Sequence, residues 1–580
     1  MKRKSVSIVM LTMLFIILST GYVWSFARLH LILGSGDFMF HANRVEELYR
    51  NIQQGALIPR ISTYTFNQVG SGINFFYPWL LLYPWALLIL ITHNPISAFY
   101  LYLILETFVT LSVAYYAMHK YSNSKKRAII FSLLYTFANY RFYLVFNQNV
   151  LAESIAYTFV PLVLLGFYET FFKNKDKWPL LAVGMSLLLY SHMLTTALVA
   201  CFLLMTLLIF WRNVTKKKAR ILSGIKAAGL SILLTAFYLF PFFEQVLGNH
   251  LRASWRGLRL IQQPMQVIEL SINDMPVAVV GTVLILTVLL GFIYLKYSPV
   301  VEKYLYFSGI VFVLMTTSLF PWFKFTNTAI ANLQFPYRLN GLATVTLCIY
   351  LSFIIEQWTV KLKNNYRVSV SLSLLMLLMI VGSLGLTASQ QIINERSQVP
   401  LLNKRPTVEN YYPSENNCSY NLTKRNWHNM FYYYGHNGSF DYFPVAVKGK
   451  VNTAVVTHQA IIDGKKVPFA DRLTSRPNQI EYKLAGIKAG TLVKLPVLYY
   501  KNDLVKIGNG RFEKPMVTSV DTIQVRVPKR NKNVVIKYHN SFLDNSTLII
   551  SLLTWVGVIV GYVVRLVRRK KDYETVSETY

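Results

Sequence analysis

Apolar runs of about 20 residues recur along this chain, and short basic clusters separate them. At 1.5 Å per residue, a helix of about 20 residues matches the ~30 Å hydrocarbon core of a bilayer. The first run, about 7–27, follows Met1-Lys2-Arg3-Lys4. It is long for the apolar part of a signal peptide and shows no small-x-small cleavage pattern, so it reads as a retained anchor. The runs at about 75–92 and 97–118 cannot both cross. If they did, Lys120, Lys125, Lys126 and Arg127 would lie opposite the basic N-terminus, against the positive-inside rule. The first of the two holds Tyr77-Pro78-Trp79 and Tyr83-Pro84-Trp85, which suits helices lying in the outer interface. Further spans are expected at about 128–144, 154–172, two between 179 and 211 broken near Ser191-His192, then 221–243, 277–295, 304–320, 339–358, 368–388 and 545–566. The pattern makes about twelve crossings with both termini cytoplasmic.

Between the last two spans the pattern changes. Residues 389–543 alternate apolar and polar positions in places, as in Thr522–Val527 and Asn533–Tyr538, with a short apolar run at Val497–Tyr500. Gly, Pro, Asn and Asp turns separate these segments, which reads as a β-rich, sandwich-type domain. Three units are therefore expected: a membrane domain over 1–388, an extracytoplasmic β-rich domain over 389–543, and a last helix with a basic tail over 544–580. No internal repeat or matched pair of interrupted spans of a transporter kind is visible.

Composition changes this picture little. The 580 residues are 53% hydrophobic and carry a net charge of +33. The basic residues fall largely between spans, which excludes nucleic-acid binding as the explanation of the charge. Cys201, Cys348 and Cys418 imply no disulfide framework.

Candidate chemistry gathers on the expected outer side. A short helix opened by Gly36-Asp37 would put Asp37, His41 and Arg44 on one face, at i, i+4 and i+7. The plainer alternative is a polar juxtamembrane helix capped by Asp37. Glu153 lies at the mouth of the fourth span, where a carboxylate also suits a helix start. His192 lies at the turn between spans five and six, where a structural histidine is equally at home. Arg252, Arg256 and Arg259 are spaced for one face of an interfacial helix, which would grip lipid headgroups or a specific phosphate. Gln334 and Arg338, in Gln334-Phe335-Pro336-Tyr337-Arg338, open the tenth span. An arginine there opposes the charge bias and wants a partner, or else snorkels to a headgroup. Together these groups suit transfer from a lipid phosphate: a carboxylate to take a proton from an acceptor hydroxyl, and guanidinium groups to hold the phosphate as it leaves. Walker, zinc and nucleophile-elbow motifs are missing.

The first span followed by Gly36-Asp37 and His41-Ala42-Asn43-Arg44, the aromatics of Phe75–Trp85, Glu153, the Gln334–Arg338 segment, and Leu495-Pro496 with Tyr499-Tyr500 in the β-rich domain carry a resemblance. The chain resembles membrane glycosyltransferases of the GT-C fold, and among them the YfhO-like proteins of Gram-positive bacteria. The resemblance implies a polytopic all-α, GT-C-like membrane domain with the extracytoplasmic β-rich domain inserted before the last helix, in the bacterial plasma membrane. It implies an undecaprenyl-phosphate-linked sugar as donor, inverting transfer, and Asp37 in the general-base position. It also implies a separate glycosyltransferase that charges the lipid. Glu153 stands alone where an Asp-x-Asp pair would be, and Phe38-Met39 follow Asp37. A divalent metal needs several oxygen ligands and is therefore not favoured, and no other cofactor is implied. The basic outer region suits an anionic envelope polymer such as teichoic or lipoteichoic acid as acceptor, with membrane lipid around the helices. Two other classes remain open: a flippase or exporter of lipid-linked sugars, and a non-catalytic scaffold that binds envelope polymer.

Overall fold

The computed structural model describes residues 2–251, 258–361, 382, 384–402, 420–432, 441–444, 454–455 and 457–578. Helix α1 is Lys2–Ala27, β1 is Ile32–Gly34, and α2 is Phe38–Gln53. Helix α3, Tyr83–Thr92, ends at His93 in the left-handed region. Helix α4, Pro95–Ser122, starts at once: Asn94 caps it by accepting from the Ile96 and Ser97 N–H groups, and Pro95 needs no donor at that position. Asn123 (φ 56°) closes α4 in the left-handed region, and Ser124 caps α5, Lys125–Thr136, by accepting from the Arg127 N–H. A two-residue link of this kind forces α4 and α5 to run antiparallel. The next helices are α6 (Asn139–Asn147), α7 (Leu151–Lys173), α8 (Trp178–Leu189), α9 (Met193–Ile209), α10 (Lys217–Leu234), α11 (Ala236–Gly248), α12 (Pro264–Ile272), α13 (Thr282–Tyr297), α14 (Val300–Met315) and α15 (Asn340–Lys361).

Among the described residues, five helical segments are long and apolar enough to cross a membrane: Ile8–Ala27, Pro95–Ser122, Leu151–Lys173, Pro336–Trp358 and Phe542–Arg568. The pairs α5–α6, bent by 44°, and α10–α11, bent by 76°, raise this to seven if each is one broken span. The expected spans in 179–211, 277–295 and 304–320 coincide with shorter helices, and the expected span at 368–388 lies mostly outside the described residues. The stretch around 75–92 forms only a turn of helix at Ile73–Phe76 and the short apolar helix Leu80–Thr92. That is too short to cross ~30 Å.

Buried ion pairs join helices inside the bundle. The Arg141 guanidinium binds Glu106, whose other oxygen accepts from Ser154 (3.0 Å) and Thr158 (3.2 Å). Glu106 thus ties α4, α6 and α7 together. Near the opposite ends of the helices, Arg127 meets Glu302 at 2.7 Å and donates to the Ile349 carbonyl.

The C-terminal region folds into two antiparallel sheets followed by α16, Phe542–Glu578. One sheet orders β4-β3-β7-β10-β9: Lys465–Pro468, Gln459–Ile462, Leu492–Leu498, Thr522–Arg526 and Met516–Val517. The other orders β5-β6-β11-β8: Leu473–Arg476, Gln479–Lys483, Asn533–Tyr538 and Asp503–Ile507. Alternate residues, among them Ile480, Tyr482, Val534 and Ile536, are buried in a shared core with Val493, Val497, Ile523 and Val525. The sheets begin only at Gln459. The earlier part of the expected domain does other work: residues 384–397 are helical, and β2, Tyr420–Leu422, pairs with β1 in the first loop.

The first loop is woven into the β-domain. The Thr63 hydroxyl donates to the Arg476 carbonyl, Leu498 N–H to the Val69 carbonyl, and Arg60 binds Asp544 at 3.1 Å. The β-domain and the loops carrying Asp37, Glu153 and Arg338 therefore share one end of the bundle. The clusters Lys120–Arg127, Lys173–Lys177 and Lys216–Arg220 lie at the other. The positive-inside rule predicts a cytoplasmic basic end. With the three native cysteines replaced by serine, an impermeant thiol reagent is expected to label Asn509→Cys in intact cells, and Asn123→Cys only after permeabilisation. The reverse pattern would turn the chain over.

Candidate functional site

The site is built on the entry to α2. Gly36 (φ +48°) lies so close to the Gln148 carbonyl that a Cβ would come within 2.2 Å of its oxygen, so only glycine fits. Asp37 N–H then donates to the same carbonyl at 3.0 Å, and Ser35 hydroxyl to Asn149 Oδ1 at 3.2 Å. These contacts pin the first loop to the α6–α7 turn. Asp37 occupies the N-cap position of α2, but its side chain makes no capping hydrogen bond. The role a bare helix cap would assign to this carboxylate is therefore not the one it has.

His41 and Arg44 follow on the same face. His41 N–H donates to the Asp37 carbonyl (3.1 Å), and Arg44 Nη1 lies 3.5 Å from His41 Nδ1. Arg44 is 1% exposed. Its Nη2 donates to the Tyr77 carbonyl (3.0 Å) and to the Pro78 carbonyl, and it sits against the Phe40 and Tyr77 rings. Its Nε has no hydrogen-bond partner, and among the described residues no carboxylate lies at ion-pair distance from it. Burial pushes its pKa down to about 10. A buried guanidinium with only neutral acceptors around it is the type of group that an anion would complete.

The other faces of α2 hold the first loop. The Glu47 carboxylate accepts from the Thr63, Tyr64 and Thr65 N–H groups, each at 3.0 Å. Asn43 Oδ1 accepts from Phe66 N–H at 3.0 Å. These contacts, with His458 Nε2–H donating to the Asn67 carbonyl, restrain Phe66, Asn67 and Gln68, three successive residues at positive φ.

Glu153 and Arg338 meet across the site. Arg338 Nε is 3.4 Å from Glu153 Oε2, and Nη1 donates to Gln334 Oε1 at 2.8 Å. The Tyr140 hydroxyl donates to the other Glu153 oxygen. The expected partner of Arg338 is thus supplied by the chain itself. His192 Nδ1 bonds Thr195 Oγ1 at 2.9 Å, and His192 lies within electrostatic reach of both His41 and Arg338. Arg259 N–H donates to the Gln334 carbonyl, but residues 258–261 are irregular, so Arg259 is not on the expected interfacial helix. Arg252 and Arg256 lie outside the described residues.

Tyr77 links these groups. Burial raises its pKa well above the usual tyrosine value, with Asp441, Tyr442 and Asp37 acting in the same direction and Arg338 against them. Asp441 was not among the residues singled out from the sequence. Its neighbour Tyr442 stacks on Phe76 (4.5 Å, 10°), Phe443 is buried, and Pro444 bridges to Leu251, so this short segment is fixed over the site. The available signal was an acidic residue flanked by aromatics in a basic region. Arg396 also went unnoticed: it donates to the Leu33 carbonyl (3.3 Å) and Asn147 Oδ1 (2.9 Å), fastening the 384–397 helix to the first loop. Among the described residues, no three His, Cys, Asp or Glu side chains gather in a way that would hold a metal ion.

A family profile described as "6-pyruvoyl-tetrahydropterin synthase related domain; membrane protein" matches residues 74–393, more than half of the chain. An uncharacterized protein of Lactococcus lactis subsp. cremoris (strain MG1363) is 23% identical over 588 residues, covering 92% of each chain. Among solved structures, the arabinofuranosyltransferase AftD from Mycobacteria is 14% identical with a TM-score of 0.43; the match covers 65% of this chain and only 27% of that one. ArnT from Cupriavidus metallidurans, solved bound to undecaprenyl phosphate, is 10% identical with a TM-score of 0.36, covering 68% and 76%.

Two buried histidines make this end of the molecule acid-sensitive. Desolvation, with Arg44 beside it, holds His41 well below the ordinary 6.5, and burial pushes His458 down to about 4. A depressed histidine pKa means that the unfolded chain binds more protons. Stability is therefore full above about pH 6.5 and is lost as pH falls toward 4. The thermal midpoint in detergent is expected to drop between pH 7 and pH 4.5. His458→Gln can keep the donor to Asn67 and should flatten that slope; an unchanged slope would clear His458 of the effect.

Proposed function

The chain belongs to the 6-pyruvoyl-tetrahydropterin synthase related family of membrane proteins, and we propose that this member is a glycosyltransferase that moves a sugar from a polyprenyl-phosphate donor to an acceptor at the cell envelope. The observation that carries the reading is Arg44: a buried guanidinium with no carboxylate at ion-pair distance among the described residues, on one face of the helix that Asp37 opens. A phosphate would give Arg44 its missing counter-ion. Asp37, at the start of the same helix, would then face the reacting sugar from the acceptor side.

In this mechanism the acceptor hydroxyl attacks the anomeric carbon and inverts it. Its proton passes to Asp37, and the bond from the anomeric carbon to the phosphate oxygen breaks. Arg44 stabilises the charge that collects on the departing lipid phosphate. The roles expected for the other residues shift accordingly. Arg338 already neutralises Glu153, so we assign it to orienting Glu153 and the Gln334 segment, since removing it would strand a buried carboxylate. Tyr77, which lies within electrostatic reach of Asp441, Asp37 and Arg338, is assigned with Asp441 to positioning the acceptor. The sugar-accepting side is the one that bears the basic β-domain, which favours an anionic polymer such as teichoic or lipoteichoic acid. An exporter would want polar groups open along the bundle. Glu106, the carboxylate best placed for that, is consumed by Arg141, Ser154 and Thr158.

Asp37→Asn tests the base. Asparagine keeps the size and hydrogen-bonding capacity of the side chain, so folding should survive the change, while transfer from polyprenyl-phosphate sugar to crude envelope acceptor should fall by about 10²–10⁴. Transfer within a few-fold of the unaltered protein would remove Asp37 from the chemistry. Arg44→Lys tests the phosphate. Lysine keeps the charge but lacks the planar fork, so donor use should weaken by on the order of 1.5–3 kcal/mol at a normal melting temperature. Unchanged apparent affinity for the donor would leave Arg44 as a purely structural clamp on Tyr77 and Pro78.

A further inference from the structure

A second cavity lies far from the site, at the other end of the same helices. Helix α7 carries Glu153 at its first turn and lines this cavity from Pro161 to Phe172. Helices α4, α9 and α14 supply Tyr121, Phe202 and Tyr304. The cavity measures about 310 Å³ and is almost wholly apolar. This is the low end of the ~300–1,000 Å³ typical of small-molecule sites.

Three of its lining hydroxyls already have partners. Thr206 and Tyr304 hydroxyls bond each other at 2.6 Å, and the Tyr121 hydroxyl donates to Glu302, itself paired with Arg127. Water needs two to four polar partners to occupy such a space, and these walls offer it little. Val300 on α14 lines the cavity and is exposed, and Leu208 and Ile209 at the end of α9, next in the chain to the lining residue Phe210, are exposed too. In a membrane these side chains face hydrocarbon, so the available filling is an alkyl chain. Beside the mouth, Asn213 lines the cavity within the segment Trp211–Lys218, where Arg212, Lys216, Lys217 and Lys218 are all exposed. Lys217 Nζ rests over the Trp211 ring at 5.7 Å. An apolar slot opening to lipid beside four cations is complementary to a ligand with a hydrocarbon chain and a phosphate head.

We propose that this cavity binds one acyl chain of an anionic phospholipid, whose phosphate rests on the Arg212–Lys218 segment. The site is independent of the transfer chemistry. It places a structural lipid where α7, α9 and α14 would otherwise enclose a void.

The test uses the full-length protein, stripped of lipid in neutral detergent, and measures retained lipid by native mass spectrometry alongside the melting temperature. Phosphatidylglycerol should be retained at one molecule per chain, at least tenfold more tightly than phosphatidylcholine with the same chains, and should raise the melting temperature. Leu203→Trp fills the slot and should abolish retention. Should that variant fold poorly, the exposed triple change Arg212→Gln, Lys216→Gln, Lys218→Gln decides: retention of phosphatidylglycerol should fall to the phosphatidylcholine level. Equal retention of the two lipids by the unaltered protein would overturn the proposal. So would retention of phosphatidylglycerol unchanged in the triple variant. Displacement of phosphatidylglycerol by an equal concentration of undecaprenyl phosphate, without the converse, would give the slot to the donor lipid and overturn it as well.

Discussion

A charge buried among apolar helices must find a partner, and the packing of this molecule depends on how that requirement is met. Glu106 on α4 is answered by Arg141 on α6 and by two hydroxyls on α7, so three helices meet around one carboxylate. Toward the basic end, Arg127 and Glu302 join α5 to α14. At the site end, Glu153 and Arg338 join α7 to the start of α15. Taking one partner from such a pair leaves the other charged and dry, at a cost of several kcal/mol, so each pair acts as a lock on helix register. Arg44 departs from this rule: it is as deeply buried, yet only carbonyl oxygens and the His41 ring receive its protons, and its Nε is left over. Buried Arg220 at the basic end, also without a carboxylate among the described residues, instead places Nε, Nη1 and Nη2 on carbonyl oxygens. That contrast gives the site its character.

The site end is also where the two parts of the protein become one. The first loop is held from below by Glu47 and Asn43 on α2. From above it is held by β2, by the His458 contact, and by the strands β5 and β7. Three successive left-handed residues are tolerated there because contacts from both sides over-determine the backbone. Asp441 reaches the site as part of this lamination. The loop that bears Asp37 and Tyr77 and the β-domain are thus mechanically coupled through a few short-range hydrogen bonds.

Helix α7 shows how one element serves two solvents. Its first turn presents Glu153 to the polar site, while its last turns, Pro161 to Phe172, wall an apolar cavity open to the hydrocarbon side. The proline and the widened final turn of α7 loosen packing at that end. A lipid chain there would support the helices whose other ends align the site.

Much of this was legible in the chain itself. Periodicity located α1, α4, α7, α15 and the start of α16, because a long apolar run has few other physical solutions. Alternation located β10 and β11. The i, i+4, i+7 spacing put Asp37, His41 and Arg44 on one face, since helix geometry is local. Spacing alone did not determine how far a broken apolar run extends, so several expected spans are short or bent helices whose ends are set by packing. Nor did it say who answers whom. Glu153 and Arg338 are 185 residues apart, and their pairing gives Arg338 a counter-ion from the chain itself, while Arg44 finds none among the described residues. Asp441 and Arg396 enter the site only because β2 pairs with β1 and Tyr442 stacks on Phe76. Local geometry is written in neighbouring residues, whereas the partner of a buried charge is chosen by the fold, which brings distant segments within a few ångströms.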